Sequence, residues 1–312
     1  MNKRISCFIS LTLILILLLC GCMHKESTDK DEGLSHIYSE NTYGYYFDFY
    51  TADSKDKDRN GTITLNAYDD DMFFEVENSG TERELSLQIF VDYKQVPIIL
   101  DDVEYDTFII QADENFSEAY QFKLATPVDT SINHTLLAIL TAGSNIYTSL
   151  ADFKMSNHYS IALDHVLVFA PNNSLYQANT SVEETQVVTE YQSSGLFLNS
   201  DINGRGRKLT REITVNAGEE FQLQYQTGGY EDCEEVAIII TMGLEQVQIN
   251  NQDFILCKVE NGELVSGIAT LKAPEEAGLY EIMGWVVKNP FDADKSEYLP
   301  LDAMHRFTLN VE

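Results

Sequence analysis

Ile63-Thr64-Leu65-Asn66-Ala67 returns 150 residues later as Ile213-Thr214-Val215-Asn216-Ala217. Both stretches alternate apolar and polar side chains, the period of a half-buried strand. The likeness extends outward from them. Met72, Phe74 and Val76 alternate in the same way as Phe221, Leu223 and Tyr225. Leu85, Leu87, Ile89 and Val91 match Val236, Ile238, Ile240 and Met242 at an offset of 151, and Lys94-Gln95-Val96 returns as Glu245-Gln246-Val247. Leu124-Ala125-Thr126-Pro127 is echoed by Leu271-Lys272-Ala273-Pro274, and His158 by His305. The chain is therefore a faint duplication of one unit.

Period two persists through each copy, and turn residues recur at short intervals, as in Asn78-Ser79-Gly80, Asp92-Tyr93-Lys94, Thr227-Gly228-Gly229 and Asn261-Gly262. The last is a hairpin signal, because a type I′ turn wants positive φ at both central positions. The pattern predicts strands near 44–50, 62–67, 72–77, 85–91, 107–112, 118–125, 135–141 and 159–169. In copy two it predicts them near 195–199, 211–216, 220–226, 235–242, 253–259, 264–272, 279–287 and 305–311. Such units match an antiparallel β-sandwich. The expected fold class is all-β, with tandem sandwiches over 36–170 and 191–312. The polar stretch 171–190 reads as a linker, for which mutual motion of the domains is the default.

Glu276-Ala277-Gly278-Leu279-Tyr280, ahead of an alternating strand, resembles the tyrosine corner of immunoglobulin-like and fibronectin III-like domains. The resemblance implies that the Tyr280 hydroxyl bonds back to the preceding backbone. Copy one has Asp129-Thr130-Ser131-Ile132-Asn133 there and lacks the tyrosine. Trp285, the only tryptophan, lies on the corner strand and reads as core rather than as a sugar platform.

The N-terminus carries Lys3 and Arg4, then an apolar run from Phe8 to Leu19, ending in Leu19-Cys20-Gly21-Cys22. The run is short for a membrane span and suits a secretory h-region. Its end resembles the lipobox of bacterial lipoproteins. That resemblance implies diacylglycerol on the Cys22 sulfur and cleavage after Gly21, leaving residues 1–21 as signal peptide. It implies a lipid-anchored protein on the extracytoplasmic face of the cell membrane. Residues 22–35, polar and without periodicity, predict a flexible tether.

The formal net charge is −30, with 20 Lys plus Arg against 50 Asp plus Glu. This argues against nucleic acid as a partner, since phosphate recognition needs a basic footprint. At 44% apolar residues the chain can build real cores.

No nucleophile elbow, zinc-protease motif or phosphate loop is present, which points away from an enzyme. Asp164 and His165 are neighbours on one predicted strand and face opposite ways. Asp56-Lys57-Asp58-Arg59-Asn60-Gly61 resembles the first half of an EF-hand loop, making Asp56, Asp58 and Asn60 candidate Ca2+ ligands beside the alternative of a solvated loop. Export permits a Cys233–Cys257 disulfide, although two free thiols are the other possibility. In the aromatic first strand, Tyr45, Phe47 and Phe49 share the core side, while Tyr46, Asp48 and Tyr50 face away, where they would either stack on sugar or be covered. Phe291, Tyr298 and Leu299 lie on the long loop 288–304, a candidate partner-binding surface that could equally pack on its own domain. The expected function is a non-enzymatic binding or scaffold module for an envelope or extracellular protein or glycan. The alternatives are an accessory subunit of a surface hydrolase or transport complex, and a structural spacer.

Overall fold

Each copy folds as two sheets whose facing sides carry the alternating apolar residues. The computed structural model describes residues 44–53, 61–143, 160–170, 173–178, 180–188, 194–202, 210–260, 262–292, 302–303 and 306–312. All of these fall within one unit, Tyr43–Glu312. The predicted signal peptide and tether lie outside the described residues. Among the described residues there is no helix.

Sandwich one contains β1 (Gly44–Thr51), β2 (Thr62–Thr64), β3 (Met72–Ser79), β4 (Arg83–Val91), β5 (Lys94–Gln95), β6 (Ile98–Leu100), β7 (Val103–Tyr105), β8 (Phe108–Ala112), β9 (Phe116–Leu124), β10 (His134–Ala142) and β11 (Ser160–Val168). One sheet runs β1-β3-β9-β6-β7, and the other β2-β11-β10-β4-β5, with β8 also on β4. Strand β3 shows why the sequence chooses this form. Met72, Phe74 and Val76 are buried, while Phe73, Glu75 and Glu77 between them are only half-buried. The buried set joins Phe47, Phe49, Leu85, Leu87, Ile89, Phe122 and Leu136 in a single core.

Sandwich two repeats the plan. Its strands are β12 (Gln186–Val187), β13 (Phe197–Asn199), β14 (Glu212–Val215), β15 (Glu220–Gly228), β16 (Glu235–Met242), β17 (Glu245–Gln246), β18 (Ile255–Lys258), β19 (Leu264–Lys272), β20 (Gly278–Lys288), β21 (Asp302–Ala303) and β22 (Phe307–Val311). The sheets run β12-β19-β15-β13 and β14-β22-β20-β16-β17, with β18 on β16 and β21 on β20. Leu223, Tyr225, Val236, Ile238, Ile240, Ile282 and Leu309 form its core. Tyr225 lies across Gly267, its cross-strand partner. A Cβ added there would sit 2.3 Å from the phenol oxygen.

The ladders are antiparallel, as expected, apart from one short parallel pair in each copy, β2 with β11 and β14 with β22. The hairpin β6–β7 is an addition to the expected strands. It turns at Asp101-Asp102, both with positive φ, where short carboxylates tolerate the left-handed region.

A third core joins the two sandwiches. Phe90, Tyr93, Leu137, Ile139 and Ala162 of sandwich one pack with Ala237, Ile239, Leu244, Phe254, Met283, Trp285 and Val287 of sandwich two. Strands β4, β10, β16 and β20 are thus buried on both faces. The runs Leu136–Leu140 of β10, Val236–Ile240 of β16 and Ile282–Val287 of β20 are accordingly almost continuously apolar. Separating the sandwiches would expose that layer to water, which opposes the mutual motion expected of linker-joined domains. The linker is pinned too. Leu175 bridges to Asn133, Val182 bridges to Leu256, and β12 adds to the edge of β19. The cause is the row of backbone donors and acceptors that the β19 edge would otherwise leave open.

Trp285 is 1% exposed, in this shared layer and 6.4 Å from Phe90. The core reading of Trp285 holds, but its core is the one between the sandwiches. The Tyr280 hydroxyl donates to the Glu276 carbonyl at 2.9 Å, the bond that the corner resemblance implied.

Candidate binding cleft

Each copy ends its β4 or β16 strand in a two-residue turn, Asp92-Tyr93 or Gly243-Leu244, with φ positive at all four positions. Glycine adopts this readily, but for Tyr93 and Leu244 it costs about 1–2 kcal/mol each. The cost is offset by where the turns point, because each plugs into the other sandwich. The Tyr93 ring meets Phe254 at 5.6 Å and Phe291 at 5.7 Å, edge to face, and its hydroxyl donates to the Pro290 carbonyl. Burial, and after it the Asp164 charge, push the Tyr93 phenol up, so it stays a donor. In return the Leu244 carbonyl accepts from Gln88 at 2.7 Å, Gln95 at 3.1 Å and Thr107 at 3.2 Å.

Beside the Tyr93 plug lies a cleft of about 510 Å3, where sandwich one, the linker and sandwich two meet. That volume suits a small ligand or a short segment of a larger one. Asp92 and Lys94 line it from the turn, Thr126 from the end of β9, and Tyr176 and Thr180 from the linker. Gln248, Asn251, Gln252, Asp253 and Phe254 line it from the approach to β18. Lys94 and Asp253 close an ion pair at 3.2 Å across it. Burial, then Asp92 and Asp253, raise the Tyr176 phenol, so it too remains protonated at neutral pH.

Asp92 is fully occupied. One carboxylate oxygen accepts from His134 Nδ1 at 2.6 Å, and the other accepts the Thr135 N–H at 3.1 Å. His134 stands where copy two has Tyr280. Leu136 faces Val91 and Ile282 faces Met242 in the repeated ladders, and His134 and Tyr280 each lie two residues earlier. The substitution keeps the corner bond, since His134 Nε2 reaches the Asp129 carbonyl at 2.9 Å. The match of Asp129–Asn133 with Glu276–Tyr280 sets copy one's corner one residue early, at Asn133 instead of His134. The usable signal was the register of β10 against β4.

Of the predicted site residues, Phe291 is described, and its ring packs on Tyr93, Tyr176 and Phe254 in the layer between sandwiches. It stays partly exposed, beside Cys233 and Asn289. Cys233 and Cys257 are buried free thiols. Val236 faces Cys257, and the Glu234 carbonyl accepts from Val259, so Cys233 lies about three strand positions, ~10 Å, from the other thiol. A disulfide needs Cα atoms within about 7 Å, and the geometry denies the bridge. Asp164 and His165 face opposite ways. Asp164 shares the interface side with Ala162, whereas His165 lies 6.4 Å from Phe49 in the sandwich-one core. On the outward face of β1, Tyr50 and Asp48 are buried, with Tyr50 stacked on Phe73 at 5.5 Å, and Tyr46 is half-buried. Gly21, Cys22, Asp56, Asp58, Asn60, Tyr298 and Leu299 lie outside the described residues. Among the described residues no group of three or more acidic, His or Cys side chains is placed to hold a metal ion.

No family model and no curated protein matches this chain. Among solved structures, it is similar to the C-terminal domain of the Streptococcus agalactiae AgI/II polypeptide BspA, at 6% identity and a TM-score of 0.25 over 86% of this chain and 100% of that one. The E. coli chaperone DraB is similar at 8% identity and a TM-score of 0.25, over 86% and 97%. A Salmonella enterica SafA pilin in complex with the SafB chaperone gives 12% identity and a TM-score of 0.25, over 86% and 98%.

Proposed function

We propose that this chain is a membrane-anchored, extracytoplasmic binding module without enzymatic activity, and that it takes its ligand in the cleft between the sandwiches. Diacylglycerol on Cys22, after cleavage behind Gly21, would hold it at the membrane, because paired acyl chains anchor where one chain is only marginal. Residues 22–35 would set the body off from the surface.

The observation that carries binding over catalysis is the state of Asp92, the more buried of the cleft's two carboxylates. Asp92 is held by His134 and Thr135, while Asp253 meets Lys94 in an exposed pair. A general acid or base must be able to reach a substrate proton. Beside that pair the cleft offers hydroxyls and amides, from Thr126, Thr180, Asn251 and Gln252, around the Tyr176 ring. This supports a neutral ligand rich in hydroxyl or amide groups, a glycan or an extended peptide.

Binding of the processed chain to arrayed envelope glycans and peptides, beside an Asn251→Ala, Thr180→Val variant, tests the site. A glycan or peptide held by the wild type and weakened at least tenfold in the variant is expected. Equal binding by both would move the site elsewhere. For the anchor, Cys22→Ala is expected to stall as an unlabelled precursor or to leave the membrane. A variant still processed and lipid-labelled would refute it.

A further inference from the structure

We propose that His134 is a proton-held clamp that fastens the linker and the Tyr93 turn around the cleft and loosens them when its imidazole loses a proton. This regulates the cleft assigned above. The clamp's geometry, however, does not depend on which ligand the cleft takes.

His134 is buried, and both of its ring nitrogens face acceptors. Nδ1 lies 2.6 Å from the Asp92 carboxylate and Nε2 lies 2.9 Å from the Asp129 carbonyl. A carbonyl has no proton to give. The Asp92 carboxylate meanwhile receives the Thr135 N–H on its other oxygen. Both ring nitrogens must therefore donate, which only the imidazolium can do.

The surroundings favour that charge. From the β4–β5 turn comes Asp92. From the corner comes Asp129, whose carboxylate accepts from the Ser131 hydroxyl and N–H and is held below its ordinary range. The linker brings Tyr176, its ring stacked 6.2 Å from the imidazole at 21°. Beyond Tyr176 lies the Lys94–Asp253 pair. Strand β11 and its end bring Leu167 and Phe169, which carry no charge. Burial by itself would lower the imidazole's pKa. The Asp92 and Asp129 bonds and charges more than offset it, leaving the group above the ordinary 6.5.

Three pieces of chain meet at this ring. Asp92 begins the turn that plugs Tyr93 into sandwich two. Next to His134, Asn133 accepts the Tyr176 N–H at 2.8 Å and donates its own N–H to Ser174 at 2.8 Å. Its side chain donates to the Asn173 carbonyl at 3.2 Å. A neutral imidazole has one donor, so deprotonation strands either the carboxylate or the carbonyl. The folded pKa is raised, so the clamp is complete below pH 6.5 and is lost as pH rises through the folded value.

Nitrogen-15 NMR on the histidine-labelled whole chain tests this directly, read together with amide exchange at Tyr176. Expected are two imidazolium nitrogens on His134 at pH 6, one inflection above 6.5, and a fall of about tenfold in Tyr176 protection across it. Asp92→Asn is expected to move the inflection downward. A neutral ring at pH 6, an inflection at or below 6.5, or Tyr176 protection indifferent to the inflection would overturn the clamp. The wild-type titration decides even if Asp92→Asn fails to fold. A negative ligand array beside a positive titration would sink the ligand reading alone, and the reverse would sink the clamp alone.

Discussion

Gln95 and Gln246 exchange the same hydrogen bond in both directions. Each backbone N–H donates to the other's side-chain Oε1, at 2.6 Å both ways. They are separated by the repeat's own offset of 151, and their Nε2 groups continue the symmetry. Gln246 donates to the Tyr93 carbonyl at 2.8 Å, and Gln95 to the Leu244 carbonyl at 3.1 Å. Tyr93 and Leu244 are again 151 apart. The two copies thus meet as a homodimer does, through one self-complementary patch used twice.

That reciprocity is measurable by a double-mutant cycle. Gln95→Ala and Gln246→Ala should each cost about 1–3 kcal/mol, since each strands partly buried partners. Each change removes only the bond its own side chain accepts, since alanine keeps its backbone N–H, and the double variant should depart from the sum because the two side chains share one patch. Urea unfolding of the four proteins checks this, and strict additivity would mean that the pair is not coupled.

The shared layer should make the two sandwiches unfold as one cooperative body. Trp285, the only tryptophan, lies in that layer and reports it by fluorescence. Its unfolding transition should coincide with that of far-UV circular dichroism, which reports all strands. Trp285→Ala should lower stability by about 3–5 kcal/mol. Two separated transitions in the wild type would show instead that the layer does not couple the sandwiches.

His165 predicts sensitivity to acid. Burial lowers its pKa to about 4, against 6.5 for the free side chain, and neither ring nitrogen has a hydrogen-bond partner among the described residues. The unfolded chain binds a proton in that window that the folded chain refuses. Stability is therefore full above 6.5 and falls as pH drops toward 4, by about 3 kcal/mol at 1.36 kcal/mol per unit. Copy two has Phe307 at the matching place, since Leu136 faces His165 and Ile282 faces Phe307. His165→Phe should remove this acid limb and raise stability at neutral pH. An unchanged profile from pH 4 to 7 would exclude His165 as the cause.

The two body thiols should be inert in the native state. Cys233 and Cys257 are buried, and desolvation pushes the Cys257 thiol up to about 12. Peptide mapping after alkylation should show modification at 233 and 257 only in denaturant, and identical masses with and without reductant. Fast native labelling would contradict the packing around them.

The strands were legible because alternation is local. Met72, Phe74 and Val76 are apolar at every second position, and β3 buries those residues. The Tyr280 corner was legible because its partner, Glu276, is four residues away. The cleft was not. Asp92, Tyr176 and Asp253 are distant in the chain, and nothing local to any of them marks a neighbour. The packing of Phe291 was not legible for the same reason, since its partners Tyr93 and Tyr176 belong to other segments.

By itself the sequence determined a duplicated all-β chain and the side of each strand that faces its own core, because backbone pleating turns local pattern directly into facing. Only the tertiary structure decided what lies against the second face of β4, β10, β16 and β20. A continuous apolar run such as Val236–Ile240 states that both faces are covered, but not by what. Covering them with the other copy removes the most apolar surface from water, and that choice is made between elements about 150 residues apart.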